Sequence, residues 1–153
     1  MVVIRLLDAE IAERYRKEIA QFYYDNVRSN AFHSHYTYEE AYEKIGSLIG
    51  HLTDNTAIAY GAFENEELCG FIWAYRHPFR EEQRMYVSEI RVKEEYRNRG
   101  LGTAMLKMVE EKAKEMGIGA MYLHAEVNNA DALRFYKAFG CEEERIQFRK
   151  PLD

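Results

Sequence analysis

Between a strand-like run at residues 85–92 and an amphipathic helical pattern starting near residue 100, the chain reads Glu94-Glu95-Tyr96-Arg97-Asn98-Arg99-Gly100-Leu101-Gly102-Thr103-Ala104-Met105. No other segment constrains the fold as tightly. Glycines at the join carry no Cβ, so the backbone there can approach a bound group closely. The first helical turn after it presents N–H groups without intrahelical partners, at the positive end of the helix dipole. That arrangement binds phosphate-type anions, and Arg97 and Arg99 add full charges. Two nucleotide motifs do not fit. A P-loop ends in Gly-Lys-Ser/Thr, but Gly102 is followed by Thr103-Ala104. A dinucleotide fingerprint follows its strand directly and needs a third glycine; here Lys93 to Asn98 intervene and Met105 stands in the glycine's place.

The periodicity on either side predicts an α/β chain with a mixed sheet. Residues 2–7 suggest a first strand, and Asp8 offers an N-cap to a helix running to about Asp25 with Ile11, Tyr15, Ile19 and Phe22 on one stripe. Residues 26–36 predict a loop, after which Thr37 and Glu40 make a capping box for a helix to about His51. Residues 57–64 and 68–76 predict a hairpin around Asn65-Glu66-Glu67, followed by a fourth strand at 85–92. Val87 and Ile90 are both apolar but three apart, which strict alternation would put on opposite faces, so this strand is expected to bulge. A helix from about Gly100 to Met116, a fifth strand at 120–127, a helix capped by Asn129 and stopped by Gly140, and a last strand at 144–150 complete the order β-α-α-β-β-β-α-β-α-β.

With 153 residues the chain fits one domain, residues 1–153, long enough to bury about two-thirds of its unfolded surface. Apolar residues at 47% and charged residues at 31% describe a globular protein, and two prolines and nine glycines leave no room for a long linker. Apolar runs are only a few residues long, so no membrane span is expected. Met1-Val2-Val3-Ile4-Arg5 lacks the apolar core of a signal peptide, and cytoplasmic residence is the expectation. Cys69 and Cys141 have no metal-ligand spacing and sit in apolar contexts, which predicts buried thiols. A net charge of −5 disfavours nucleic acid as a partner and suits a cationic substrate.

Arg97-x-x-Gly100-x-Gly102 resembles the pyrophosphate loop of the GNAT superfamily, the acyl-CoA-dependent N-acyltransferases. The resemblance continues through Asn129-Ala130-Asp131-Ala132-Leu133-Arg134-Phe135-Tyr136-Lys137-Ala138-Phe139-Gly140, which is similar to a second segment of that family, in the right order and at the right distance. Together the motifs cover residues 84–141, with similarity in pattern only before them. Cys141 stands where the family usually has Phe. The lysine common two residues after the tyrosine is Ala138 here, with Lys137 one place earlier.

The resemblance implies a mostly antiparallel sheet with splayed fourth and fifth strands, and transfer of an acetyl group from acetyl-CoA to a primary amine by direct attack in a ternary complex. Acetyl-CoA would be the cosubstrate, and no metal is implied. Backbone groups of Ile90, Arg91 and Val92 would pair with the pantetheine arm like an added strand, and one such N–H could stabilise a developing oxyanion. Arg97, Asn98, Arg99, Gly100, Leu101, Gly102 and Thr103 would hold the pyrophosphate. Asn129 would hydrogen-bond the coenzyme. Tyr136, at the position of the family's tyrosine, would protonate the departing thiolate, with packing beside Leu133 and Phe139 as its plain structural alternative.

An alkyl amine has a pKa near ~10.4 and is mostly protonated at neutral pH, so a carboxylate or imidazole must take its proton. Glu89 is the only acidic residue between Met85 and Val92 and is the expected base, unless it faces solvent or pairs with Arg91. His124 and Glu126 alternate with apolar residues on the expected fifth strand and are backup acceptors, as is water. His33 and His35 flank Ser34 in a segment that lines the acceptor site in similar proteins. As two histidines alone they make no metal site. With His124 they are candidate acceptor contacts.

Three readings follow: an N-acetyltransferase, a non-catalytic acyl-CoA-binding sensor or subunit, and an interaction protein in which the loop is only a turn. Arg97, Gly100, Gly102 and Asn129 argue against the third, and Tyr136 and Glu89 favour the first. Small amine, polyamine, aminoglycoside and a protein N-terminus or lysine all remain open as acceptors. So do acyl groups other than acetyl, and a monomeric or homodimeric state.

Overall fold

Apolar side chains on both faces of residues 57–64 and 67–76 are the pattern of strands covered on two sides. In the computed structural model, which describes residues 1–29 and 35–153, these strands lie inside a five-stranded sheet. The elements are β1 (Val2–Leu6), α1 (Ala9–Arg14), α2 (Arg16–Arg28), α3 (Tyr38–Thr53), β2 (Ala57–Glu64), β3 (Glu67–Arg76), β4 (Arg84–Val92), a 3-10 turn (Glu94–Tyr96), α4 (Leu101–Glu115), β5 (Ala120–Tyr122) and α5 (Ala130–Phe139). The sheet order is β1-β2-β3-β4-β5, with antiparallel pairs except for the parallel pair β4–β5. The chain divides into two units, Met1–Leu123 and His124–Asp153.

In the first unit, helices cover both faces of the sheet. Ile19 and Ala20 of α2 and Ala41, Ile45, Leu48 and Ile49 of α3 form one core with Ala59, Phe63, Phe71 and Trp73 of the sheet. On the other face α4 packs against β2, β3, β4 and β5, burying Met105, Leu106, Val109 and Ala113. The expected capping box at the start of α3 is present: Thr37 accepts from the Glu40 N–H, and the Glu40 side chain accepts from the Thr37 N–H. Cys69 is a buried thiol as expected, whereas Cys141 is only partly buried.

Three sequence expectations need correction. The single helix expected from Asp8 to Asp25 is two helices, broken at Tyr15. No glycine or proline marks the break. The Tyr15 hydroxyl instead donates to the Glu66 carbonyl at 2.9 Å, tying the joint to the β2–β3 turn. The fifth strand, expected over 120–127, is only Ala120–Tyr122. The last strand expected over 144–150 does not form. Strand propensity depends on the packing and pairing context, which alternation within a segment does not specify.

Candidate active site

The bulge expected in β4 sits at Ser88. Trp73 stands opposite Glu89 and Ala74 opposite Val87, so Ser88 is the extra residue, and its Oγ donates to the Trp73 carbonyl at 3.3 Å. The inserted residue resets the face on which later side chains lie. Tyr86, opposite Tyr75, and Glu89, opposite Trp73, thus share a face although three apart in sequence. Trp73 packs in the core under α2 and α3, so Glu89 lies on the side of those helices.

From α2, Asn26 Nδ2 donates to Glu89 Oε2 at 3.4 Å. Burial pushes the Glu89 carboxyl up to about 7, against the opposing pull of Arg91, the Asn26 hydrogen bond and Lys44. Tyrosines surround it. The negative charge of Glu89 helps raise the hydroxyls of Tyr23, Tyr36, Tyr75 and Tyr86, each of which burial raises first. Tyr23 is pushed up to about 12, and its ring centroid lies 6.1 Å from that of Tyr36.

Beyond Glu89 the edge of β4 opens. β5 pairs with β4 only from Arg84 to Tyr86. The Lys93 N–H donates to the Cys69 carbonyl of β3, which fixes the phase of the strand: Arg91 backbone groups face β3, and those of Ile90 and Val92 face away from it. Of the three residues expected along this edge, Ile90 and Val92 therefore offer the outward backbone groups.

The loop that follows is held by its own arginines. Arg97 Nε donates to the Val92 carbonyl at 3.1 Å, and Arg99 donates to the Glu95 carbonyl at 3.1 Å with its guanidinium 5.0 Å from the Tyr96 ring centroid. Tyr96 is buried and its hydroxyl donates to Glu64 at 3.0 Å, which anchors the turn to β2. Asn98 and Gly100 both take positive φ, 62° and 78°. Gly100 caps α4 without a side-chain hydrogen bond, and no acidic residue stands in the first turn. The N–H groups of Leu101, Gly102 and Thr103 thus lie where a helix accepts an anion.

In the second unit, Asn129 Oδ1 accepts from the Ala132 N–H at 3.1 Å and caps α5. Tyr136 lies on α5, its ring 5.3 Å from that of Phe135. Lys137 pairs with Glu143 at 2.9 Å. His124 and Glu126 lie past the end of β5, so the shared strand face that made them backups is absent. His35 occupies an exposed turn before α3, and His33 falls outside the described residues. Asn26 and the tyrosines around Glu89 escaped the sequence reading. Their only trace was the phase slip at Val87 and Ile90, which also moves Tyr86 onto the face of Glu89.

The acetyltransferase (GNAT) family model matches residues 10–141. The chain belongs to the GNAT family. Among GNAT relatives, it is 23% identical over 136 residues to an uncharacterized N-acetyltransferase of Bacillus subtilis, YdgE, covering 88% of this chain and 87% of that one. A solved putative acetyl transferase from Pyrococcus furiosus is 26% identical, with a TM-score of 0.74 over 98% of this chain and 100% of that one. The aminoglycoside N-acetyltransferase AAC(6')-Iy, solved in complex with CoA, has a TM-score of 0.75 at 17% identity over 99% and 95% of the two chains, a likeness of fold. The mixed sheet with its parallel, barely paired β4 and β5 is the GNAT arrangement anticipated from the motifs.

Proposed function

We propose that this GNAT protein is an N-acetyltransferase that moves the acetyl group of acetyl-CoA to a primary amine by direct attack in a ternary complex. Glu89 carries the reading. A carboxyl raised to about 7 is poised to take a proton near neutral pH. Its place on the bulge sets it just before the outward backbone groups of Ile90 and Val92. An arm laid along that edge would gain main-chain hydrogen bonds as an added strand does.

The residues at the start of α4 fit a pyrophosphate. The first turn of α4 carries no acidic side chain, and a Cβ built on Gly100 would find nothing within 4 Å, which leaves room for a close approach. Arg97, Asn98, Arg99, Gly100, Leu101, Gly102 and Thr103 would hold that group, and bound acetyl-CoA would supply the thioester. Asn129 spends its Oδ1 on the α5 cap, which leaves Nδ2 to donate to the coenzyme. Tyr136 is assigned the proton for the leaving thiolate. A single acetyltransferase domain over 1–153, acting in the cytoplasm as a monomer or homodimer, belongs to the same proposal, since the family match crosses both units.

Scanning fluorimetry with CoA, followed by thiol release from acetyl-CoA across an amine panel, tests it. At 100 times its Kd a ligand adds about 2.7 kcal/mol of stability. Absence of stabilisation at saturating CoA would remove the acyl-CoA site. Stabilisation without turnover of any amine would leave an acyl-CoA-binding protein.

A further inference from the structure

We infer that the Glu89 site selects acceptors with one amino group on an apolar body and discriminates against polycations. This rests on the acetyltransferase reading and names its substrate class. The floor of the site is the cross-strand pair Tyr75 and Tyr86, one bulge away from Glu89 on the same face of the sheet. One wall is α2: Tyr23 and Asn26, three apart and hence on one helix face, stand above the carboxylate to which Asn26 donates. Tyr36 lies against Tyr23, and Tyr122 stacks on Tyr86 with centroids 4.8 Å apart. Rings in this number offer apolar surface for the body of a ligand and π faces for an ammonium on its way in. The Tyr75 hydroxyl is buried and has no hydrogen-bond partner among the described residues. A ligand N–H that reached it would relieve an unsatisfied group.

Charge limits the amine count. Glu89 is the one carboxylate that acts on all four tyrosines. Glu40 also acts on Tyr36 but on none of the other three, and it sits at the start of α3. The other charges acting on Glu89 are positive, Arg91 on β4 and Lys44 on α3. The first amino group of a ligand meets Glu89. A second finds only the like charges of Arg91 and Lys44 among the other charged groups acting on Glu89, and a charge desolvated without a counter-charge is costly.

The full-length protein with acetyl-CoA is assayed on phenethylamine, a tripeptide beginning with Phe, spermidine and kanamycin. One or both apolar monoamines should exceed spermidine and kanamycin in kcat/KM by about tenfold or more. Comparing the two tells whether the body is a small molecule or a peptide. Tyr23→Leu, which keeps an apolar side chain but loses the ring, should raise KM for the preferred amine more than it lowers kcat. If that variant does not fold, Tyr36→Leu should raise KM for the preferred amine in the same way, and an unchanged KM there overturns the inference. Equal or better turnover of spermidine or kanamycin overturns the inference and leaves the acetyltransferase reading intact, as does an unchanged KM in folded Tyr23→Leu. If no amine is turned over, calorimetry decides: tighter binding of phenethylamine than spermidine keeps the selectivity and removes the catalytic reading. Equal or weaker binding removes both.

Discussion

Ionising Glu89 inside the fold is harder than ionising it in the unfolded chain, where its ordinary value is 4.5 and not about 7. Between those values the folded state binds more protons than the unfolded one, so stability falls as pH rises from about 4.5 and reaches its full loss above about 7. The loss is about 3 kcal/mol at most, at roughly 1.36 kcal/mol for each pKa unit. Glu89→Gln cannot ionise, so the variant should melt higher than wild type at pH near ~8 and much the same near ~4, as a melting series across pH would show. The same variant should lose kcat most near neutral pH and less at alkaline pH, where more amine is already neutral. A stabilised, inactive variant is the pattern expected of a residue kept for chemistry. Tyr136→Phe removes only a hydroxyl. If that hydroxyl protonates the thiolate, kcat should fall by roughly 10²-fold with CoA still bound. The fall could be smaller, since a simple thiol has a pKa near ~8.5 and its thiolate leaves readily. Wild-type turnover with chemistry rate-limiting would end the assignment.

The element proposed to hold the coenzyme is the start of α4, and its requirement is conformational. A side chain on Gly100 would strike no protein atom within 4 Å, but the residue sits at φ 78°, where an L-residue is strained. Gly100→Ala should therefore cost about 1–2 kcal/mol in denaturant melts. CoA affinity should fall as well, measured by calorimetry, because the first-turn N–H groups lose their aim and the new methyl points into the open approach. Elements were legible where the residues that end them were local. Thr37 and Glu40 announced α3, and Gly140, at φ 105°, closed α5. The break at Tyr15 was not legible, since its anchor is the Glu66 carbonyl, 51 positions along the chain.

The whole molecule carries a net charge of −5, yet the proposed coenzyme is an anion. Attraction must then be local, from Arg97, Arg99 and the α4 N-terminus acting over less than the Debye length of about 8 Å at physiological salt. CoA affinity should weaken as salt rises. Arg97→Ala should both weaken binding and flatten the salt dependence, read by titration at two ionic strengths. Unchanged affinity with an unchanged salt slope would mean that Arg97 serves only to tie the loop to the Val92 carbonyl.

Local chemistry was enough to identify the α/β class, the glycine-bearing junction before α4, the capping box and the bulge in β4, because each depends on neighbours in sequence. Glycine placement, cap residues and the apolar period act over a few positions, and a phase slip between Val87 and Ile90 is visible without a partner strand. What surrounds Glu89 depended on tertiary structure. Asn26 lies 63 positions away and reaches the carboxylate only because the fold brings the last turns of α2 to Glu89. Tyr23, Tyr36 and Tyr75 gather there because burying the α2–α3 core against Phe71 and Trp73 brings their elements together. Desolvation by that packing, which no local pattern encodes, is what moves a surface-type carboxylate into the range of a base at neutral pH.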